Sequence, residues 1–305
     1  MEINLNVLDT EQVNPNSMHI DEMTTIDMLK TINDADKEVA YSVEKCLPII
    51  REAVDAANLS MLKGGRLIYI GAGTSGRLGI LDASECPPTY GVEPTLVQGI
   101  IAGGTEAIQN AKEGAEDSEQ LAKEDLINIE LNSNDIVCGI AASGRTPFVI
   151  GGLKYANELG CVTIALCCVN KGKISNYARY PIEVLVGPEV ICGSTRMKAG
   201  TAQKLVLNML STTLMIKKGK VYGNLMVDLK PTNEKLIERA LQIIMTSTKA
   251  TREAAITALK ESNNNVKVAI IMLLANINAT KANQVLETNT GNVSKTIHTL
   301  KETNK

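Results

Sequence analysis

The 305-residue sequence contains no tryptophan, one phenylalanine and two histidines. So few rings leave no platform on which nucleotide bases could stack. With histidine confined to His19 and His298, a histidine-rich metal centre or a Ser/His/Asp triad has almost no raw material. Charge of one sign is lacking too: 31 lysines and arginines face 34 acids, a net charge of −3, which gives no basic footprint for nucleic acid or anionic membrane. The longest apolar stretch, residues 268–275, falls far short of the roughly 18 residues needed to cross a bilayer. The acidic start Met1-Glu2-Ile3-Asn4 has none of the basic character of a signal peptide. The expectation is a cytoplasmic protein with neither membrane nor nucleic acid as partner. Seven cysteines, at 46, 86, 138, 161, 167, 168 and 192, form no C-x-x-C pair and read as reduced core thiols. What remains is ordinary: 44% hydrophobic and 21% charged residues make a globular chain, long enough for two domains or one large α/β domain with an appendage.

Residues 1 to about 20 are polar and read as an extended arm. From Thr25 to Leu62 apolar residues recur at helical spacing (Val39, Val43, Leu47, Ile50, Val54), with Pro48 expected to kink or restart the helix. Between residues 66 and 220 nearly continuous apolar runs alternate with amphipathic stretches. The runs are 66–70, 95–100, 135–141, 162–168 and 181–186. Strands of that kind are covered on both faces, and the lengths between them suit helical crossovers. The fold class is therefore α/β, a doubly wound, mostly parallel five-stranded sheet. Beyond Gly223 five helical periods follow, near 233–248, 250–262, 265–277, 280–287 and 291–301. The organisation expected is an N-terminal arm and helices over 1–60, the sheet domain over 61–222 and a small helical bundle over 223–305.

In a doubly wound sheet, ligands sit outside the carboxyl ends of the strands, and three loops there share a composition. The first strand runs into Gly71-Ala72-Gly73-Thr74-Ser75-Gly76-Arg77. This matches G-x-G-x-x-G, but the acid that a dinucleotide site needs after the second strand is replaced by Gln98-Gly99-Ile100. Glycines at a helix start let backbone N–H groups approach an anion, and Thr74 and Ser75 add hydroxyls. The third strand ends in Ala142-Ser143-Gly144-Arg145-Thr146-Pro147, and the last leads to Gly193-Ser194-Thr195-Arg196-Met197-Lys198. One such loop would be a helix cap; three at one sheet edge point to a phosphorylated polyhydroxy ligand.

Acid/base work must fall to carboxylates, because histidine is scarce. Glu85 lies where Pro87 and Pro88 are expected to end the first crossover helix, and Glu116 follows Gly114 at the start of a new helical pattern. If residues 76–85 form an unbroken helix, Glu85 stands about 13 Å along it from the first loop. Then a sugar must span the gap, Gly79 must shorten the helix, or Glu85 must serve a neighbouring subunit.

The stretch from Tyr69 to Pro88 closely resembles the N-acetylmuramic acid 6-phosphate etherase family, as do residues 114–117, 142–147, 187–204 and Gly223-Asn224-Leu225-Met226-Val227-Asp228. The resemblance implies a sugar isomerase (SIS) domain with a helical tail, acting as a cytosolic homodimer with its site near the subunit interface, and no metal or organic cofactor. It implies removal of D-lactate from C3 of N-acetylmuramic acid 6-phosphate to give N-acetylglucosamine 6-phosphate, in the reuse of cell-wall sugars. On the matching motifs, Glu116 is the base at C2 and Glu85 the acid for the leaving lactate. Thr74, Ser75, Gly76, Ser143, Gly144, Arg145 and Thr146 are substrate and phosphate contacts, joined by Ser194, Thr195 and Lys198. His19, in the polar arm, reads as a surface or interface residue, and His298 as structural or exposed. The rivals are a sugar-phosphate-sensing regulator resembling glucokinase regulatory protein, and an aldose-ketose isomerase on the same fold.

Overall fold

A computed structural model describes residues 11–110, 112–229 and 233–303; the first ten residues of the expected arm lie outside them. The described part of the arm is not simply extended, since it makes two 3₁₀ turns, Pro15–Ser17 and Ile20–Glu22. Helix α1 (Thr25–Glu44) starts at Thr24, whose side chain caps the Asp27 amide, and α2 (Leu47–Leu62) restarts with Pro48 in its first turn. Proline is tolerated there because that turn has no acceptor for an N–H.

The sheet strands are β1 (Leu67–Gly71), β2 (Val97–Ile101), β3 (Ile136–Ile140), β4 (Val162–Cys167) and β5 (Tyr180–Glu183), all parallel in the order β2-β1-β3-β4-β5. The order reverses between β1 and β3, the switch point at which α/β sheets bind ligands. The helices between them are α3 (Gly73–Tyr90), α4 (Glu119–Asn128) and α5 (Pro147–Glu158). Ile68, Ile70, Val137 and Ala165 pack with α4 and α5 on one face. On the other, Tyr69 bonds to Asp82 of α3 at 2.8 Å. Arg66 and Asp135 pair at the start of β1 and β3, with Nη2 to Oδ2 at 2.6 Å, and Asp135 also accepts the Arg66 and Asn132 amides. The pair is thus fully bonded at the sheet end opposite the three loops.

One expectation fails. Helix α3 does not stop before its two prolines but runs through Pro87 and Pro88 to Tyr90, and Gly91, at φ +62°, ends it. Both prolines fall in the last turn, so the bonds to the Ala83 and Ser84 carbonyls are lost and the rings crowd those carbonyls, but no following turn has to be kept in register.

Helix α6 (Lys198–Lys217) is followed by the two-stranded ribbon β6 (Val221–Tyr222) and β7 (Leu225–Met226). Five helices complete the chain: α7 (Glu234–Thr248), α8 (Arg252–Glu261), α9 (Val266–Ala275), α10 (Ala279–Thr288) and α11 (Val293–Thr303). Helix α9 is apolar around its circumference because α7, α8, α10 and α11 all pack on it. The backbone divides into two compact units: residues up to Ser84 with Pro94–Ser211, and Glu85–Glu93 with the residues from Thr212 onward. In the second, Asp228 accepts from Lys220 and Lys267 at 2.5 and 2.8 Å. No described helix is long and apolar enough to cross a membrane.

Candidate active site

The β1–α3 loop is shaped by close approach. A Cβ on Gly76 would sit 2.6 Å from Ile101 Cγ1 and 2.8 Å from the Gly71 carbonyl, so only glycine lets α3 start directly off the strand. Ser75 is buried and its Oγ donates to Gln203 Oε1 at 2.9 Å. Thr74 is half-buried, its methyl 3.6 Å from the Cβ position of Gly200 on α6. The first and third loops are thereby side by side.

The β3–α5 loop joins them through the backbone. The Cys168 amide donates to Ala142 at 3.0 Å while its thiol lies 3.6 Å from the Ala199 carbonyl. Gly144, at φ +66°, leaves no space for a side chain, because a Cβ would come within 2.8 Å of Gly172 Cα and Val169. Thr146 stands at the cap position of α5 without using its hydroxyl as the cap. That hydroxyl and those of Thr74, Ser143, Ser194 and Thr195 make no hydrogen bond among the described residues, and so are free to meet a ligand. Arg145 is half-buried, and its Nε has no partner among the described residues.

A cavity of about 180 Å³ opens at the mouth of β1, lined by Ala72, Gly73, Arg77, Ala102, Lys112 and Glu116 with their neighbours. Gly114, at φ +75°, turns the chain so that Ala115–Asp117 form a 3₁₀ turn and Glu116 reaches this rim. Arg77 donates to the carbonyls of Ala107 and Ile108 at 2.9 and 2.7 Å, pinning the opposite wall. A carboxylate beside two cations and the glycine loop has the parts for moving a proton next to an anionic ligand.

Other candidates stand elsewhere. Lys198 is buried, donates its ammonium to the Val186 carbonyl, and lines a separate cavity of about 490 Å³ with Asn14, Asn16, Thr31, Asp34 and Glu38. Burial holds its pKa below the ordinary lysine value. Glu189, unremarked in the sequence, is fully buried and accepts the Lys198 and Ala199 amides, both at 2.9 Å. Burial raises its pKa, opposed by those two amides. It fills the start of α6, so that helix end has no amides to spare for a phosphate. Glu85 is exposed on α3, and the unbroken helix removes shortening at Gly79 as a way to bring it to the first loop. His19 and His298 are both exposed. Six cysteines are buried as expected, but Cys192 is exposed. The acid cap and Gln203 carried no local signal, since their partners are 9 and 128 positions away.

A parallel α/β domain with hydroxyl-rich loops at its switch point is the architecture of a sugar-phosphate domain, and comparison with known proteins agrees. The glucokinase regulatory protein N-terminal SIS domain model matches residues 49–157 and the SIS domain model residues 112–213. A protein of Clostridium botulinum (strain Eklund 17B / Type B) called N-acetylmuramic acid 6-phosphate etherase is 61% identical over 293 residues, covering 96% of this chain and 97% of that one. One of the same name from Clostridium beijerinckii is 56% identical over 295 residues, 97% of each chain. A solved structure from Bacteroides fragilis, provisionally described as a phosphosugar isomerase involved in capsule formation, has a TM-score of 0.50 at 17% identity over 65% of this chain and 94% of its own, and shares the fold alone. The chain belongs to the N-acetylmuramic acid 6-phosphate etherase family.

Proposed function

We propose that the chain hydrolyses the C3 lactyl ether of N-acetylmuramic acid 6-phosphate, giving N-acetylglucosamine 6-phosphate and D-lactate in the recycling of cell-wall sugar, in the cytoplasm and without a cofactor. The observation that carries the reading is the end-to-end identity with curated etherases, 61% over 96% of the chain. Residues 61–222 carry the site, residues 1–60 pack on that core and residues 223–305 form the helical domain.

Ring opening exposes the C1 aldehyde, which acidifies the C2 proton. Glu116 takes that proton, and it shares its cavity with Arg77 and Lys112, two cations suited to an anionic substrate. The electron pair expels the ether oxygen from C3, and Glu85 gives that oxygen its proton as lactate leaves. Water then adds at C3 of the unsaturated aldehyde while C2 regains a proton, so one water is consumed overall. The two carboxyls need opposite protonation states at the start, an arrangement acid/base pairs reach through different surroundings.

The phosphate and sugar hydroxyls are held by Thr74, Ser75, Gly76, Ser143, Gly144, Arg145 and Thr146, with Ser194 and Thr195 beside them. Lys198 serves the same site indirectly, holding the segment before α6 through Val186. The protein works as a homodimer with the site near the subunit interface, and Glu85 serves the neighbouring subunit's site. Its exposure, and its position about 13 Å along α3 from Gly76, support this. Ile26 and Leu29 on α1 and Leu59 and Leu62 on α2 are all more than half exposed, apolar side chains that a second copy could cover.

Incubating the purified protein with N-acetylmuramic acid 6-phosphate is expected to release D-lactate and N-acetylglucosamine 6-phosphate in equal amounts. A ketose product would establish an isomerase instead, and binding without turnover a sensor.

A further inference from the structure

The mechanism leaves Gln203 unused, yet its surroundings single it out. It stands on α6 one turn after Gly200, and both positions meet the first turn of α3: Thr74 lies against Gly200 and Ser75 Oγ donates to Gln203 Oε1 at 2.9 Å. Gln203 is 0% exposed, and its Nε2 has no hydrogen-bond partner among the described residues. A buried amide donor without an acceptor has given up its water for nothing. The serine is also poorly set for its task. Its single proton is spent on Gln203, so only lone pairs face an incoming anion.

A half-turn of the amide about its last side-chain torsion exchanges both roles. Nε2–H then donates to Ser75 Oγ, and the serine proton is released toward a ligand oxygen. That torsion is soft and the amide's two ends are nearly the same size, so no repacking is needed. The exchanged arrangement gains a hydrogen bond only when a ligand is present to accept the serine proton, which links the amide's orientation to binding.

We infer that Gln203 is a positioning residue whose side-chain amide, by changing from acceptor to donor, sets whether Ser75 offers its proton to the bound sugar phosphate. The inference rests on the proposed role of the Ser75 loop in holding that ligand.

A double-mutant cycle on the full chain tests it. Losing one hydrogen bond to an anion, Ser75→Ala is expected to raise KM for N-acetylmuramic acid 6-phosphate about tenfold with kcat within about twofold. Gln203→Met, apolar and of similar volume, removes the Nε2–H donor that aims Ser75 Oγ at the ligand in the bound state and is expected to raise KM about threefold, and the double variant to bind no worse than Ser75→Ala alone, because the amide acts only through the serine. Independent effects, about 30-fold in the double variant, or an unchanged KM in Gln203→Met, would overturn the inference. Should Gln203→Met fail to fold, the Gln203 side-chain amide proton resonances of wild type give the second test. They are expected to move downfield when N-acetylglucosamine 6-phosphate is added, and resonances that stay in place while the sugar binds would refute the exchange. If wild type binds this sugar but releases no lactate, the etherase reading fails while the same cycle, read as dissociation constants by calorimetry, still decides the role of Gln203.

Discussion

Asp82 shows how a single carboxyl can be paired and still unfavourably placed. Burial raises its pKa above the ordinary 3.8, against hydrogen bonds from Tyr69 and Ser211 that lower it. A raised value in the fold means the fold prefers the protonated form. The contribution is complete below the unfolded value and is lost as pH rises through the folded one. Asp82→Asn keeps one oxygen to accept from one of the two hydroxyls and turns an NH2 toward the other, whose own oxygen can accept, and it does not titrate. Wild type is therefore expected to lose stability relative to Asp82→Asn as pH rises above about 4. Urea unfolding of both proteins at stepped pH measures the gap, and a gap independent of pH would contradict the assignment. At this scale the sequence was legible where a residue's place in the fold is set by its immediate neighbours. Ser75, Ser143 and Thr146 stand in loops recognisable by composition, and Glu116 follows a glycine that adopts the left-handed turn. It was illegible for Gln203, Glu189 and Lys198, whose partners come from tertiary closure.

Among the elements, the strands were readable because burial on both faces leaves continuous apolar runs, and those of β1 and β3 are buried at every position. Helix α3 was misjudged because a proline's distortion breaks a helix only where further turns must follow it, and here the helix ends two residues later. The start of α6 depends on Glu189, which replaces the usual Ser or Asp cap from outside the helix. Glu189→Ala strands two buried amides at the start of α6, so a loss of about 2–4 kcal/mol in urea unfolding is expected. In the helical unit, Asp228→Ala leaves the buried ammonium of Lys267 with only the Gly291 carbonyl among the described residues and takes the carboxylate from Lys220. Removing one partner of a buried pair costs about 3–5 kcal/mol. Thermal unfolding is expected to show the loss, whereas a wild-type transition would mean that both lysines reach water.

For the molecule as a whole, the sequence-derived arrangement of arm, sheet and helical tail matches the order of elements in the structure. What a single chain cannot supply is the second copy. If the exposed leucines of α1 and α2 form the contact of the proposed dimer, Leu29→Glu is expected to shift the protein from dimer to monomer in sedimentation. If Glu85 serves the neighbouring subunit, mixing Glu85→Ala with Glu116→Ala and allowing subunits to exchange is expected to restore about a quarter of wild-type lactate release. Half the dimers are then mixed, with one intact site each. A mixture as inactive as its parents would place acid and base in the same subunit.

The central claim is that Glu116 breaks the C2–H bond and Glu85 completes the loss of lactate. It is tested most directly by incubating wild type, Glu85→Ala and Glu116→Ala with N-acetylmuramic acid 6-phosphate in deuterated water, following lactate release and deuterium at C2 by mass. Wild type is expected to release lactate and both variants to lose at least about 100-fold in rate. Glu85→Ala is expected still to exchange C2 hydrogen for deuterium, and Glu116→Ala not to. Exchange that persists without Glu116, or lactate release undiminished in either variant, would contradict the assignment.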